Sequence, residues 1–206
     1  RNLYLGLKSL DVDICTNATP KELQDIFKDS QINNNHYGAV SFLYHKIRFE
    51  VTTFRQEGEY INNRKPVKVE YIDDLRQDLM RRDFTVNTLC IDSDGNIVDL
   101  LNVRNDLDNR IIKMVGNPRK RLREDALRIL RAVRFATVLD FEIDHELTKY
   151  IKKYAHLTSK LSIYRKKEEL DKIFTSPNIK RGIKLLSDLE LLKPLDIVNL
   201  NKIVLT

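Results

Sequence analysis

Hydrophobic and polar positions alternate along the first half of the chain and recur at helical spacing along the second. Leu10, Val12 and Ile14 alternate with Asp11, Asp13 and Cys15, as on a half-buried strand whose apolar positions enter a core. Thr19-Pro20 opens a predicted helix through Lys21–Lys28, with proline at the first helical position. Asn33-Asn34-Asn35 reads as a loop. Val40–Phe54 reads as a hairpin turning near His45-Lys46. Its second strand puts Ile47, Phe49 and Val51 on one side and Arg48, Glu50 and Thr52 on the other. Residues 55–70 are polar and without period, which predicts a long mobile loop. Residues 72–81 read as a helix capped by Asp73 or Asp74, and residues 92–96 as a turn. From Asn117-Pro118 onward the pattern is helical: one long helix to about Leu139, then helices near 144–155, 162–174 and 178–192. An α+β first half followed by an all-α second half is the fold class this predicts.

Composition narrows the picture. The 206 residues leave room for one large domain or two small ones. With 42% hydrophobic and 32% charged residues, the chain is not wholly disordered. No apolar run nears the ~18 residues of a membrane span, and no secretory leader is expected. Lys and Arg number 36 against 30 Asp and Glu, a net charge of +6 that suits a polyanionic partner. Cys15 and Cys90 have neither metal-ligand spacing nor a disulfide framework, which points to a reduced, cytosolic compartment. The six glycines form neither a Walker-type loop nor GxGxxG, so any nucleotide chemistry needs another device. The first residue is Arg1 rather than Met, and a missing upstream segment is expected.

Three constellations carry candidate chemistry. On a strand, Asp11 and Asp13 stand side by side on one face. Two close like charges are costly unless a cation lies between them, and hard oxygen ligands suit Mg²⁺ or Mn²⁺. A lone DxD also fits a plain solvated strand face. Glu50, on the polar side of its own strand, adds a third carboxylate and completes the ingredients of a two-metal site. The second constellation is Asp78-Leu79-Met80-Arg81-Arg82-Asp83-Phe84-Thr85-Val86-Asn87. It reads either as a helix C-terminus whose arginines complement the dipole or as a guanidinium placed on a triphosphate. The third is the arginine-rich helix with Arg119, Arg121, Arg123, Arg128, Arg131 and Arg134. On one continuous helix Asp125 and Arg128 are i, i+3 neighbours. They form either a simple ion pair or a base reader. The carboxylate would accept from the amine of cytosine or adenine, and the guanidinium would donate to the adjacent ring acceptor. Arg131 can reach the same cleft, whereas Arg134 drifts further round the helix.

These strings together resemble the class II tRNA nucleotidyltransferases, the family of CCA-adding enzymes and bacterial poly(A) polymerases. RNLYLGLKSLDVDICT is similar to the family's metal motif, and FEVTTFR places Glu50 as the third carboxylate. RRDFTVNTL is similar to its ribose- and triphosphate-contacting motif, and REDALRILRAVRFA to its amino-acid template for CTP and ATP. LSIYRKKEEL, with Ser162, Arg165 and Glu169, is similar to the motif that stabilises a helical turn in the neck.

The resemblance implies a polymerase-β-like nucleotidyltransferase head with a mixed sheet over 1–115, a nucleotide-selecting helical neck over 116–175, and the start of an incomplete helical body over 176–206. It implies Mg²⁺ held by Asp11 and Asp13, with Glu50 assisting. Arg1 and Arg82 would contact the incoming nucleotide, and Asp83 and Asn87 would shape the ribose side. Asp125 and Arg128 would read the base, with Arg131 and Arg134 toward the nucleotide. The 55–70 loop, with Arg64 and Pro66, resembles the flexible loop that helps the switch from C to A addition. The expected substrates are CTP, ATP and a tRNA 3′ end, in the cytoplasm, with no membrane and no obligate protein partner. CCA addition is the expected activity. Poly(A) synthesis, C-only or A-only addition, and a non-catalytic RNA-binding remnant are the alternatives. Two departures stand out. The family's Gly-Gly turn before Arg1 is absent, and its DPxGG linker here reads Asp99-Leu100-Leu101-Asn102-Val103.

Overall fold

A computed structural model describes residues 1–8, 11–27, 31–32, 39–45, 47–58, 60–61, 65–66 and 68–197. Only the backbone is described for residues 11, 31–32, 60–61 and 65–66. Asn33–Asn35 and Arg64 lie outside the described residues. The chain divides into two compact units, one of residues 1–59 with 66–82 and one of residues 60–65 with 83–206.

The first unit is built on a four-stranded mixed sheet. Strand β1 (Asp11–Thr16) leads through α1 (Pro20–Ile26) to β2 (Gln31–Ile32), β3 (Ala39–Tyr44) and β4 (Ile47–Thr53). The spatial order is β1-β4-β3-β2. β1 runs parallel to β4, and the other pairs are antiparallel. The expected helix start at Thr19-Pro20 is closed by a capping box that the sequence reading did not name: the Thr19 hydroxyl accepts from the Glu22 amide, and the Glu22 carboxylate accepts from the Thr19 amide. Leu23, Val40 and Val51 form the core of this unit, with Ala18, Phe27 and Phe42 against it. Val12 and Ile14 do not join that core. Each is 39% exposed, because β1 is the sheet's edge strand and the apolar cluster is centred on β3 and β4.

The segment expected as structureless is partly extended. β5 (Arg55–Glu57), β6 (Tyr60–Ile61), β7 (Lys65–Pro66) and β8 (Val69–Tyr71) form two short ladders, β5 with β8 and β6 with β7. Arg55 lies opposite Tyr71, Gln56 opposite Glu70, and Glu57 opposite Val69. A ladder this polar leaves no apolar alternation for a sequence pattern to reveal. Helix α2 (Leu75–Met80) follows, shorter than expected, with Asp74 as its cap.

The second unit starts at Asp83 and is mainly helical. A turn of 3₁₀ helix (Thr85–Asn87), β9 (Cys90–Ile91), β10 (Ile97–Val98), α3 (Arg104–Asp108) and β11 (Ile111–Ile112) precede the helices. The expected single helix over 118–139 is two: α4 (Pro118–Glu124) and α5 (Leu127–Leu139). β12 (Glu142–Ile143), α6 (His145–Tyr154), α7 (Ile163–Phe174) and α8 (Ile179–Asp188) complete it. α5 is the central element, packed on α7 and α8. Ile129, Leu130, Val133 and Ala136 are sealed from solvent, as are Ile173 of α7 and Leu186 of α8. Phe84 is equally buried and meets Phe135 edge to face at 5.7 Å, which fixes the start of the unit against α5.

Candidate functional site

In the first unit the parallel register makes Asp11 the partner of Arg48, and Asp13 the partner of Glu50. Glu50 is in turn opposite Ser41 of β3. Partners across a sheet share a face, so Asp13, Glu50 and Ser41 form one row across three strands. Asp11 lies two residues along β1 and therefore belongs to the same face. Asp13 is exposed and Glu50 half-buried. Their oxygen donors are of the type that suits a hard divalent cation. Among the described side chains, no three His, Cys, Asp or Glu are gathered as a metal cage, and the Asp11 side chain is not one of those described. Arg1 donates from Nε to Asn2 Oδ1 at 3.0 Å, in a turn closed by the Leu5 amide on the Arg1 carbonyl.

Arg82 ends the first unit, and one partner that holds it is Asp78, a residue assigned no role in the sequence reading. Asp78 Oδ2 accepts from an Arg82 amino nitrogen at 3.1 Å, and Oδ1 accepts from Arg81 Nε at 2.8 Å. The signal was present: a carboxylate three and four residues before two arginines on a helix faces both.

In the second unit Asp83 and Asn87 meet Arg131. Asp83 Oδ1 accepts from the Phe84 amide at 2.8 Å and from Asn87 Nδ2 at 2.9 Å. Asp83 Oδ2 accepts from Arg131 Nε at 2.7 Å and pairs with its amino nitrogen at 2.5 Å. Burial pushes the Asp83 carboxyl up. The Arg131 charge and these donors outweigh it and hold the carboxyl below the usual range. The same exchange acts on Arg131: burial lowers it, while Asp83 and Glu169 raise it above its ordinary value. Glu169 of α7 is 4% exposed and accepts from Arg134 Nε at 2.6 Å. Arg134 also lies 3.9 Å over the Phe135 ring, and burial lowers its pKa despite Glu169.

The proposed base-reading residues are not arranged as one helix would place them. Asp125 is extended (φ −142°, ψ 107°) and separates α4 from α5. Its Oδ1 accepts from the Leu127 amide at 3.0 Å, so the side chain closes the turn that leads into the new helix instead of continuing the old one. Arg165 of α7 grips both Asp125 oxygens, at 3.0 and 3.3 Å. Ser162, three residues earlier, caps α7. The carboxylate that pairs with Arg128 is Glu124, at 3.2 Å, and Arg128 also donates to the Arg121 carbonyl at 2.7 Å. Glu124 binds Arg121 as well, at 2.9 Å. Arg128 is only 6% exposed. An i, i+3 surface pair is thus replaced by two separate ion pairs, because the chain turns between them.

Comparison with known proteins places these motifs in context. The sequence matches the poly A polymerase head domain over residues 1–113, and the probable RNA and SrmB-binding site of polymerase A over residues 140–196. It is 43% identical to a CCA-adding enzyme of Ligilactobacillus salivarius over 193 residues, which covers 94% of this chain and 48% of that protein. A CCA-adding enzyme of Bacillus pumilus is 37% identical over 195 residues, covering 95% of this chain and 49% of that protein. The chain spans about half the length of the curated relatives it matches. Among solved structures, the Bacillus stearothermophilus CCA-adding enzyme in complex with CTP is 35% identical, with a TM-score of 0.86 over 94% of this chain and 47% of that one. A tRNA nucleotidyltransferase complexed with a primer tRNA and an incoming ATP analog shares the fold, at 22% identity and a TM-score of 0.77 over 94% and 56% of the two chains.

Proposed function

The chain belongs to the family of tRNA nucleotidyltransferases and bacterial poly(A) polymerases, and on that premise we propose that it adds C and A residues to tRNA 3′ ends from CTP and ATP, releasing pyrophosphate. The observation that carries the reading is the register of Asp13 with Glu50, on the face that Asp11 shares. Asp11 and Asp13, with Glu50 assisting, would hold Mg²⁺, which when bound would acidify an attacking ribose hydroxyl and neutralise charge on the leaving pyrophosphate. Arg1 and Arg82 bind the triphosphate, and Asp83 and Asn87 shape the ribose side. Asp125 and Arg128 select the base by its amine and its ring acceptor, with Arg131 and Arg134 toward the nucleotide. The catalytic head spans residues 1–115, the selecting neck 116–175, and the start of a body 176–206. Among the described residues no helix is long and apolar enough to cross a membrane. A cytoplasmic place beside tRNA fits the role.

The relatives named CCA-adding enzymes favour full CCA addition over poly(A) synthesis or single-base addition. The test is incubation with labelled CTP or ATP and tRNAs ending before CCA, after C, or after CC, followed by sequencing of the product ends. C and A are expected in order, and Asp13→Ala is expected to lose at least 1,000-fold in incorporation while keeping its fold. Runs of A alone would establish the polymerase alternative. No incorporation by the unaltered chain, with RNA still bound, would establish a binding remnant. Turnover retained in Asp13→Ala would remove the metal assignment.

A further inference from the structure

Asp78 is sealed from solvent, its side chain only 1% exposed. A carboxylate so withdrawn from water is costly unless its lone pairs are met by charged or fixed donors. Here they are. Oδ1 accepts from Arg81 Nε and from the Arg55 amide at 3.2 Å, and Oδ2 accepts from Arg82. A second carboxylate closes the network from β5. Glu57 Oε1 accepts from Arg55 Nε at 3.1 Å and from Arg81 at 3.3 Å. Asp78 and Glu57 therefore tie three guanidiniums into one network. Their side chains differ in exposure: 15% for Arg55, 17% for Arg81 and 26% for Arg82.

The division of labour follows. Arg81 fills the space between Asp78 and Glu57 and joins α2 to β5. Arg82 is the most open of the three. A guanidinium on a flexible stem loses rotamer entropy when it binds phosphate oxygens. One already tethered to a buried carboxylate has lost part of it beforehand. We propose that Asp78 is a positioning residue for nucleotide binding, holding the Arg82 guanidinium ready for the phosphate oxygens of the incoming nucleoside triphosphate. The proposal rests on the reading of Arg82 as a triphosphate ligand. It assigns Asp78 no contact with substrate. Because the Asp78 oxygens also hold the Arg55 amide, loss of the carboxylate loosens the root of the 55–70 segment too.

A double-mutant cycle tests this, with CTP affinity measured by equilibrium titration in Mg²⁺ and fold followed by the urea midpoint. Arg82→Ala is expected to weaken CTP about thirtyfold and Asp78→Asn about tenfold. The double variant is expected to bind no worse than Arg82→Ala alone, because on this proposal the effect of Asp78 on CTP affinity runs through that side chain. Glu57→Gln, which loosens the other end of the network, is expected to keep CTP affinity within about twofold. Native affinity in Asp78→Asn, a double variant whose losses multiply, or equal loss in Glu57→Gln would overturn the positioning role. Native affinity in Arg82→Ala would instead sink the assignment of Arg82, and this proposal with it. Should Asp78→Asn not fold, Asp78→Glu, which keeps the charge but moves it by one methylene, is read in the same cycle against the same outcomes.

Discussion

Asp83 illustrates how much one carboxylate is asked to do. It holds Arg131 through two nitrogens, orients Asn87, and ties back to the Phe84 amide beside a buried ring. Burial opposes the charged form, yet Arg131 and the donors prevail and depress the folded-state pKa. The sign of the linkage is therefore that of a stabilising carboxylate. Its contribution is fully present above the unfolded-chain pKa of about 3.9, and is lost as pH falls through the lower, folded value. Unfolding by urea followed from pH 7 to pH 2.5 should show a midpoint that drops in acid. Asp83→Asn should be less stable at pH 7 by about 2 kcal/mol, since it leaves Arg131 with a weaker partner. It should also lose less of its remaining stability on acidification. Equal acid sensitivity in both proteins would show that Asp83 is not a principal source of the dependence.

At the scale of elements, the second unit is tightest where α8 crosses α5 and α7. A Cβ added at Gly182 would fall 2.6 Å from Ile173 Cγ2 and 3.0 Å from Thr137 Cγ2. Alanine is the better helix former by about 1 kcal/mol. Overpacking a site walled by a buried isoleucine costs about 1–3 kcal/mol. The steric term should win, so Gly182→Ala is expected to lower the urea midpoint despite its higher propensity. A raised midpoint would mean that α8 can move away at little cost. Strong local chemistry was legible from the sequence at the element scale: the Thr19-Pro20 helix start, the Asn117-Pro118 helix start and the β3–β4 hairpin. Two things were not. The break at Asp125 has no glycine or proline to announce it. It depends on a side chain that closes the turn into the next helix and on Arg165, forty residues away. At Asn102, φ is 56°, the left-handed conformation that glycine adopts freely and asparagine tolerates. The linker thus keeps a glycine-like backbone without the glycine, and a motif comparison by residue type alone reads it as a departure.

For the molecule as a whole, charge makes a claim that no single residue does. The chain carries +6, and many of its arginines are paired with acids inside the fold: Arg81 with Asp78, Arg121 and Arg128 with Glu124, Arg131 with Asp83, Arg134 with Glu169, and Arg165 with Asp125. Those pairs fix side chains and add little to the field outside. The external field comes from cations such as Lys152, Lys153 and Lys160, which are exposed on α6 and the turn after it. Such charges hold a phosphate backbone by displacing its counterions, a contribution that does not depend on sequence and is sensitive to salt. A 3′ end engaging three to six phosphates in this way predicts a log–log slope of affinity against salt of about −2 to −4 for single-stranded RNA. Replacing Lys152 and Lys153 with Gln should make that slope shallower by about one unit while leaving CTP affinity unchanged. RNA affinity that holds steady between 50 and 200 mM salt would mean that the binding surface is made of stacking and base contacts, and that the basic balance of the chain serves something other than RNA.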